Sequence, residues 1–256
     1  MSVGADGFIG VFDSGLGGIS VLRDMVAELP HERFHFFGDS ANAPYGDRTA
    51  EDILSLSRAI VRRQLDEGAK AIVIACNTAT AAAAAPLRSE YPDLPIIGVE
   101  PALKPAALAF PCGRILVMAT STTLALEKFQ RLVLRWGSQA EVIPVACVGL
   151  VDLIEQGDLS SPEIRSLLEE LVGPYRGTVD AVVLGCTHYP FVADIIRDVV
   201  GGAPLFDGGE GTARRLHEVL RARGLLAKAE APGSVSFSSS VNTPSEIALY
   251  QRFFGQ

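Results

Sequence analysis

The chain has 256 residues, 48% of them apolar and 20% charged. That is an ordinary globular balance with a slight apolar lean, long enough for one large domain or two small ones. The formal net charge is −8 and no Lys/Arg-rich run stands out; nucleic-acid binders carry a basic stripe, so no nucleic-acid partner is expected. A small anionic ligand stays compatible, because a few backbone N–H groups can hold one locally.

MSVGADGFIGVFDSG, at the N-terminus, lacks a basic segment followed by a long apolar core, so it does not read as a signal peptide. Residues 8–12 read as a strand, followed by a Gly-rich loop and a helix near 19–28. Residues 34–38 form a second strand, 50–67 a helix and 69–75 a strand. The least polar stretch, 71–87, contains Asn77, Thr78 and Thr80 and meets Pro86. It fits a strand running into a small-residue helix better than a membrane span, and no membrane association is expected. Another strand follows at 95–99. A second series begins with a strand at 114–119, a helix near 123–135 and a strand at 140–144. Residues 162–175 read as helical and 181–185 as a strand. Residues 227–242, rich in Ala, Gly and Ser, are expected to hold a loop and one strand. Thr243-Pro-Ser-Glu246 is a capping box that should start a last helix through Phe253. Strands alternating with helices, with continuous apolar runs such as AIVIA and AVVLG, predict the α/β class: doubly wound parallel sheets with helices on both faces.

One internal echo stands out. AKAIVIACNTAT and VDAVVLGCTHYP share a scheme: a buried strand, a cysteine, then two polar residues able to open a helix. The two cysteines lie almost half the chain apart, so two similar α/β units are expected, each offering one. The four cysteines, Cys76, Cys112, Cys147 and Cys186, form no CxxC pair and show no zinc spacing, which fits a reduced, cytoplasmic protein.

Ligands of open α/β sheets bind at the carboxyl ends of the strands. Four polar clusters take that place here: Asp13-Ser14, Asp39 to Gly46, Cys76-Asn77-Thr78, and Cys186-Thr187-His188. A cysteine at a helix N-terminus has its thiolate stabilised by the helix dipole and free N–H groups. Cys112 and Cys147 have no polar cluster beside them and read as filler. DSGLGG lacks the spacing of a phosphate loop or a dinucleotide fingerprint; its glycines suit the approach of backbone N–H groups to a carboxylate. Taken singly, each residue has a bland alternative: Asp13 as a helix cap, His188 as a satisfied structural histidine, 44–46 as a turn.

Together, VFDSGLGG, DSANAPYGDRT, ACNTAT and GCTHYPF resemble, in order and over nearly the whole chain, the motifs of the aspartate/glutamate racemase superfamily, and within it most nearly the glutamate racemases. The resemblance implies two α/β domains with the active site between them, the first built from 1–99 plus 209–256 and the second from 100–208. It implies catalysis without pyridoxal phosphate, metal or other cofactor. Cys76 and Cys186 would be the catalytic pair, with Asp13 assisting the first, His188 the second, and Glu155 supporting the histidine. Substrate binding would fall to Asp13, Ser14, Pro44, Tyr45, Gly46, Asn77, Thr78, Thr120, Thr123, Thr187 and His188, with both cysteines. The segment CVGLVDL around Glu155 and residues Ala119, Leu126 and Phe129 depart from the family pattern. The implied role is interconversion of L- and D-glutamate, supplying D-glutamate for peptidoglycan in a bacterial cytoplasm, by a chain that forms a homodimer. Alternatives from the residues alone are a racemase for another acidic amino acid such as aspartate, a Cys-His acyl-transferase or hydrolase using Cys186, a metal site of Asp13, Cys76, Cys186 and His188, and a non-catalytic binding module.

Overall fold

The computed structural model describes residues 6–228, 230 and 232–255. Residues 1–5 of the N-terminal stretch, and 229 and 231 of the expected loop, lie outside the described residues. The chain divides into two compact units, Met1–Val99 with Gly209–Gln256, and Glu100–Gly208.

The first unit opens with β1 (Phe8–Asp13), α1 (Ile19–Glu28), β2 (Arg33–Gly38), α2 (Ala50–Asp66), β3 (Ala69–Ile74), α3 (Asn77–Glu90) and β4 (Ile96–Gly98). The least polar stretch of the sequence thus splits between β3 and α3. All six residues of β3 are buried, as a strand covered on both faces requires. Thr49 starts α2 by accepting a hydrogen bond from the Asp52 N–H, and the helix turns Ile53, Ile60 and Val61 inward. These meet Ile72, Ile74, Ala79, Ala83 and Leu87 in one apolar cluster. Each fully buried aliphatic side chain contributes about 1.5–3 kcal/mol relative to exposure.

In the second unit come α4 (Leu103–Ala109), β5 (Arg114–Ala119), α5 (Ser121–Ala125), α6 (Glu127–Trp136), β6 (Glu141–Ala146), α7 (Leu150–Glu155), α8 (Pro162–Val172), β7 (Ala181–Leu184), α9 (Ala193–Val199) and β8 (Leu205–Phe206). Its sheet runs β6-β5-β7-β8, parallel throughout. Ile115, Val117, Ala181 and Val183 pack against Leu103, Ala106, Ala107 and Phe129. The single helix expected over 123–135 is two. Leu126 is extended (φ −73°, ψ 141°), ending α5 through its N–H to Thr122 O and opening α6 by accepting from Phe129 and Gln130. The helix expected over 162–175 ends at Val172 and closes in a tight 3-10 turn, Gly173–Tyr175.

The chain then returns to the first unit with α10 (Gly209–Ala222), β9 (Ser234–Ser239) and α11 (Pro244–Phe254). Thr243 caps α11 by accepting from the Glu246 N–H. β9 pairs with β2, so the first sheet reads β4-β3-β1-β2-β9, again parallel throughout. α10 packs on α1, where His217 Nδ1 meets Glu28 Oε1 at 2.6 Å.

Strand order fixes where each unit can hold a ligand. From β1 the chain winds outward to β2, then crosses back to β3 on the other side; from β5 it winds to β6, then back to β7. A crevice opens at such a reversal, beyond the carboxyl ends of the two inner strands. In the first unit those ends lead to Asp13 and Cys76, and in the second to Thr120 and Cys186.

Candidate active site

In the first unit the sheet ladder runs on past the strand ends: Ala75 N–H donates to Phe12 O at 2.8 Å and Asp39 N–H to Asp13 O at 2.9 Å. The tips of β1, β2 and β3 are thereby locked side by side. Asp13 is 0% exposed, and its Oδ2 accepts from Gly18 N–H at 2.7 Å. The glycines of DSGLGG thus do admit a carboxylate to the backbone, and it is the chain's own. Position 18 must be glycine, since a Cβ there would stand 2.8 Å from Asp13 Cβ and 2.9 Å from Ala75 Cβ.

Cys76 is the N-cap of α3. Its Sγ accepts from Ala79 N–H at 3.4 Å, and its thiol reaches Ser14 Oγ at 3.8 Å. The sulfur therefore sits at the positive end of a fourteen-residue helix, where a thiolate is favoured. Asn77 and Thr78, in the first turn, are buried, and Asn77 Oδ1 has no hydrogen-bond partner among the described residues. Across from them runs the loop after β2. Tyr45 donates its phenol proton to Asp39 Oδ2 at 2.6 Å, and Asn42 Nδ2 donates to Asp39 Oδ1 at 2.9 Å. Burial first, then the hydrogen bond and charge of Asp39 and the charges of Cys76 and Asp13, push the Tyr45 phenol far above its ordinary range. It stays a protonated donor. Pro44 and Gly46 flank it, both half-buried, and the Ala43–Pro44 bond is cis. Tyr250 of α11 props this loop, its hydroxyl 2.7 Å from Ser40 Oγ.

In the second unit Cys186 follows β7, whose end is tied to β5 by Gly185 N–H donating to Met118 O at 2.7 Å. Its sulfur lies 3.6 Å from His188 Nδ1, and His188 Nε2 lies 2.6 Å from Glu155 Oε1. His188 is 2% exposed and Glu155 22%. Burial alone would lower the imidazole pKa, but the hydrogen bonds and charges of Cys186 and Glu155 outweigh it and hold His188 well above 6.5. An imidazolium between a carboxylate and a sulfur stabilises the thiolate. Thr187 is buried beside them. Thr120 caps α5, its Oγ1 accepting from Thr123 N–H at 3.2 Å and standing 2.9 Å from Thr123 Oγ1.

The echo between the two cysteine segments is incomplete. Cys76 opens a helix, whereas Cys186 leads into a 3-10 turn, Tyr189–Val192, ahead of the seven-residue α9. Pro190 lies in the first turn and brings no N–H to cap the sulfur. One cysteine is served by a helix end and the other by an ionisable side chain. Cys147, read as filler, is not remote from this chemistry. It follows β6, is bonded through its N–H to Ala119 O at 2.9 Å, and its thiol is pushed up to about 12, chiefly by burial. Tyr189 contacts it and is fully buried. Neither residue was singled out by the sequence; the aromatic beside His188 was the available signal. Cys112 is exposed, at a backbone φ of 61°. Among the described residues no group of three or more His, Cys, Asp or Glu side chains is placed to hold a metal ion, and no helix is long and apolar enough to cross a membrane.

The family model for Asp/Glu/hydantoin racemases matches residues 9–216, taking in both cysteine segments. The chain belongs to this racemase family. Among racemases it is 46% identical, over 95% of both chains, to the glutamate racemase of Clostridium perfringens. The crystal structure of glutamate racemase from Francisella tularensis in complex with D-glutamate is similar at a TM-score of 0.85 and 25% identity, covering 98% of this chain and 95% of that one. The Escherichia coli glutamate racemase, crystallised with L-glutamate and the activator UDP-MurNAc-ala, is similar at a TM-score of 0.84 and 28% identity, over 96% and 95% of the two chains.

Proposed function

We propose that the chain is a glutamate racemase working by two cysteine bases, Cys76 and Cys186. The observation that carries this reading is the separate equipping of the two sulfurs. Each lies just beyond an inner strand at its own sheet's reversal. One is served by a helix N-terminus and Ser14, the other by His188 and Glu155. Glutamate as substrate is drawn from the relatives, which carry that name or hold that amino acid.

Inverting Cα requires removing a proton from one face and delivering another to the opposite face. In this reading one cysteine, as thiolate, takes the α-proton while the other, as thiol, donates its proton to the far face; in the reverse direction they exchange roles. His188, held charged by Glu155, favours the thiolate of Cys186. The α3 N-terminus does the same for Cys76, and Asp13 stands ready to take up the Cys76 proton. Asn77 Oδ1, a buried acceptor without a partner among the described residues, suits the substrate ammonium. Ser14, Thr78, Thr120, Thr123 and Thr187 supply hydroxyls and N–H groups for the two carboxylates, and Pro44, Tyr45 and Gly46 a wall. No group in this scheme needs pyridoxal phosphate or a metal. The wider role is provision of D-glutamate for peptidoglycan, and so for cell wall and cell shape, by a cytoplasmic homodimer with the domain boundaries given above.

Deuterated water tests the reading. Either enantiomer of glutamate should gain solvent deuterium at Cα with no cofactor added, and Cys76→Ser or Cys186→Ser should each abolish racemisation. Wild-type protein that leaves Cα protonated would point to the Cys-His hydrolase alternative, and a doubly substituted protein with normal turnover would end the two-base scheme.

A further inference from the structure

Tyr189 is 0% exposed, yet its hydroxyl makes no hydrogen bond of normal geometry among the described residues. A buried hydroxyl left this way is destabilising, and phenylalanine in the same place would avoid the loss. Its surroundings are chemical. The Tyr189 N–H donates to Cys186 O at 3.2 Å, closing the turn that carries His188. The order β6-β5-β7 sets the ends of β6 and β7 on either side of β5, so that Cys147 and Cys186 flank the phenol. Burial, then the charges of Cys186 and Cys147 and hydrogen-bonding interactions with both sulfurs, raise the phenol pKa well above 10, so it remains a donor.

We propose that Tyr189 is a positioning residue for Cys186: its hydroxyl donates a hydrogen bond to the sulfur that is stronger when Cys186 is a thiolate than when it is a thiol. The inference rests on the reading of Cys186 as a catalytic base. A thiol sulfur is a weak acceptor, whereas a hydrogen bond to an ionised partner is about twice as strong as a neutral one. The hydroxyl therefore binds the charged sulfur more strongly than the neutral one, a preference for the charged state that lowers the barrier to forming it. Cys147 does not compete as a thiolate. Burial holds it neutral, and its thiol points to Val145 O at 3.7 Å. Among the described residues, the ionisable groups that face the Cys186 sulfur include His188, with Glu155 behind it, and the two donors Tyr189 and Cys147.

Tyr189→Phe removes the hydroxyl and keeps the ring. The test follows alkylation of Cys186 by iodoacetamide across pH, mapped by peptide mass spectrometry, in wild type and Y189F. The alkylation midpoint should rise by about half a unit or more in Y189F. kcat should fall about tenfold with KM nearly unchanged, and the melting temperature should not drop. An unchanged midpoint overturns the proposal, and a lowered melting temperature with an unchanged midpoint marks Tyr189 as purely structural. Cys186→Ser protein that still racemises would instead remove the base reading on which the proposal stands.

Discussion

Glu155 reaches His188 from α7, its Oε1 2.6 Å from Nε2, while the other ring nitrogen faces Cys186. The carboxylate thus fixes which nitrogen meets the sulfur and favours the charged ring. Glu155→Gln keeps the shape and removes the charge. The imidazole pKa should then fall, and the limb of the pH–rate profile that reports loss of the His188 proton should move to lower pH. Turnover should drop by roughly 10- to 100-fold. Steady-state racemisation across pH measures both effects, and a profile identical to wild type would count against the assignment.

The same shift predicts how stability depends on pH. The folded-state pKa of His188 is raised above 6.5, so the folded protein holds this proton where the unfolded chain releases it. The stabilisation is present in full below about pH 6.5 and is lost as pH rises through the folded pKa. Urea unfolding of His188→Asn and wild type at a series of pH values should show the largest gap on the acid side, closing as pH rises. A gap that widened with pH would reverse the sign of the coupling.

Gly18 is confined between Asp13 and Ala75. Gly18→Ala must push Asp13 aside or strain the turn, at a cost of about 1–3 kcal/mol. Turnover should fall on the order of 10- to 100-fold through misplacement of the carboxylate near Cys76. Thermal melting and kcat of this variant check the two effects separately, and full activity would show that the position of Asp13 is not critical.

Lys70 and Glu32 form an ion pair 2.6 Å apart, 0% and 2% exposed, beneath the amino-terminal ends of the strands. Glu32 Oε1 also accepts from Ala227 N–H at 2.7 Å, holding the stretch between α10 and β9. Lys70→Met strands a buried carboxylate and should destabilise by about 3–5 kcal/mol. The double variant Lys70→Met/Glu32→Gln should recover much of that loss in chemical denaturation, and failure to recover would show that the packing of the lysine stem dominates.

Most strand positions were legible because a parallel strand covered on both faces announces itself as an apolar run, as residues 71–74 of β3 and Ala181–Leu184 of β7 do, whereas the two-residue β8 was too short to signal itself. The cap of α11 was legible because it is local chemistry. The break at Leu126 was not, since apolar periodicity continues through it and only the backbone hydrogen bonds of Thr122, Phe129 and Gln130 reveal the extended residue. At the candidate site, Cys76, Asp13, Cys186 and His188 were readable as polar residues at strand ends. The contact of Glu155 with His188 was expected from family resemblance alone, because nothing in LVDLIEQG specifies it. Tyr189 and Cys147 were missed because their meeting depends on β6 and β7 flanking β5, a tertiary fact without a local signature.

The insertion of the second unit into the first has a consequence for synthesis. β9 pairs with β2 and α10 covers α1, so the first sheet and its helical layer need residues far downstream. On the ribosome, where domains fold as units as they emerge, the second unit has all its strands once residue 206 is out. Until β9 arrives, β2 is an open edge able to pair with a neighbouring nascent chain. The early half of this protein is thus the last to be finished, and through that interval its β2 edge stands unpaired.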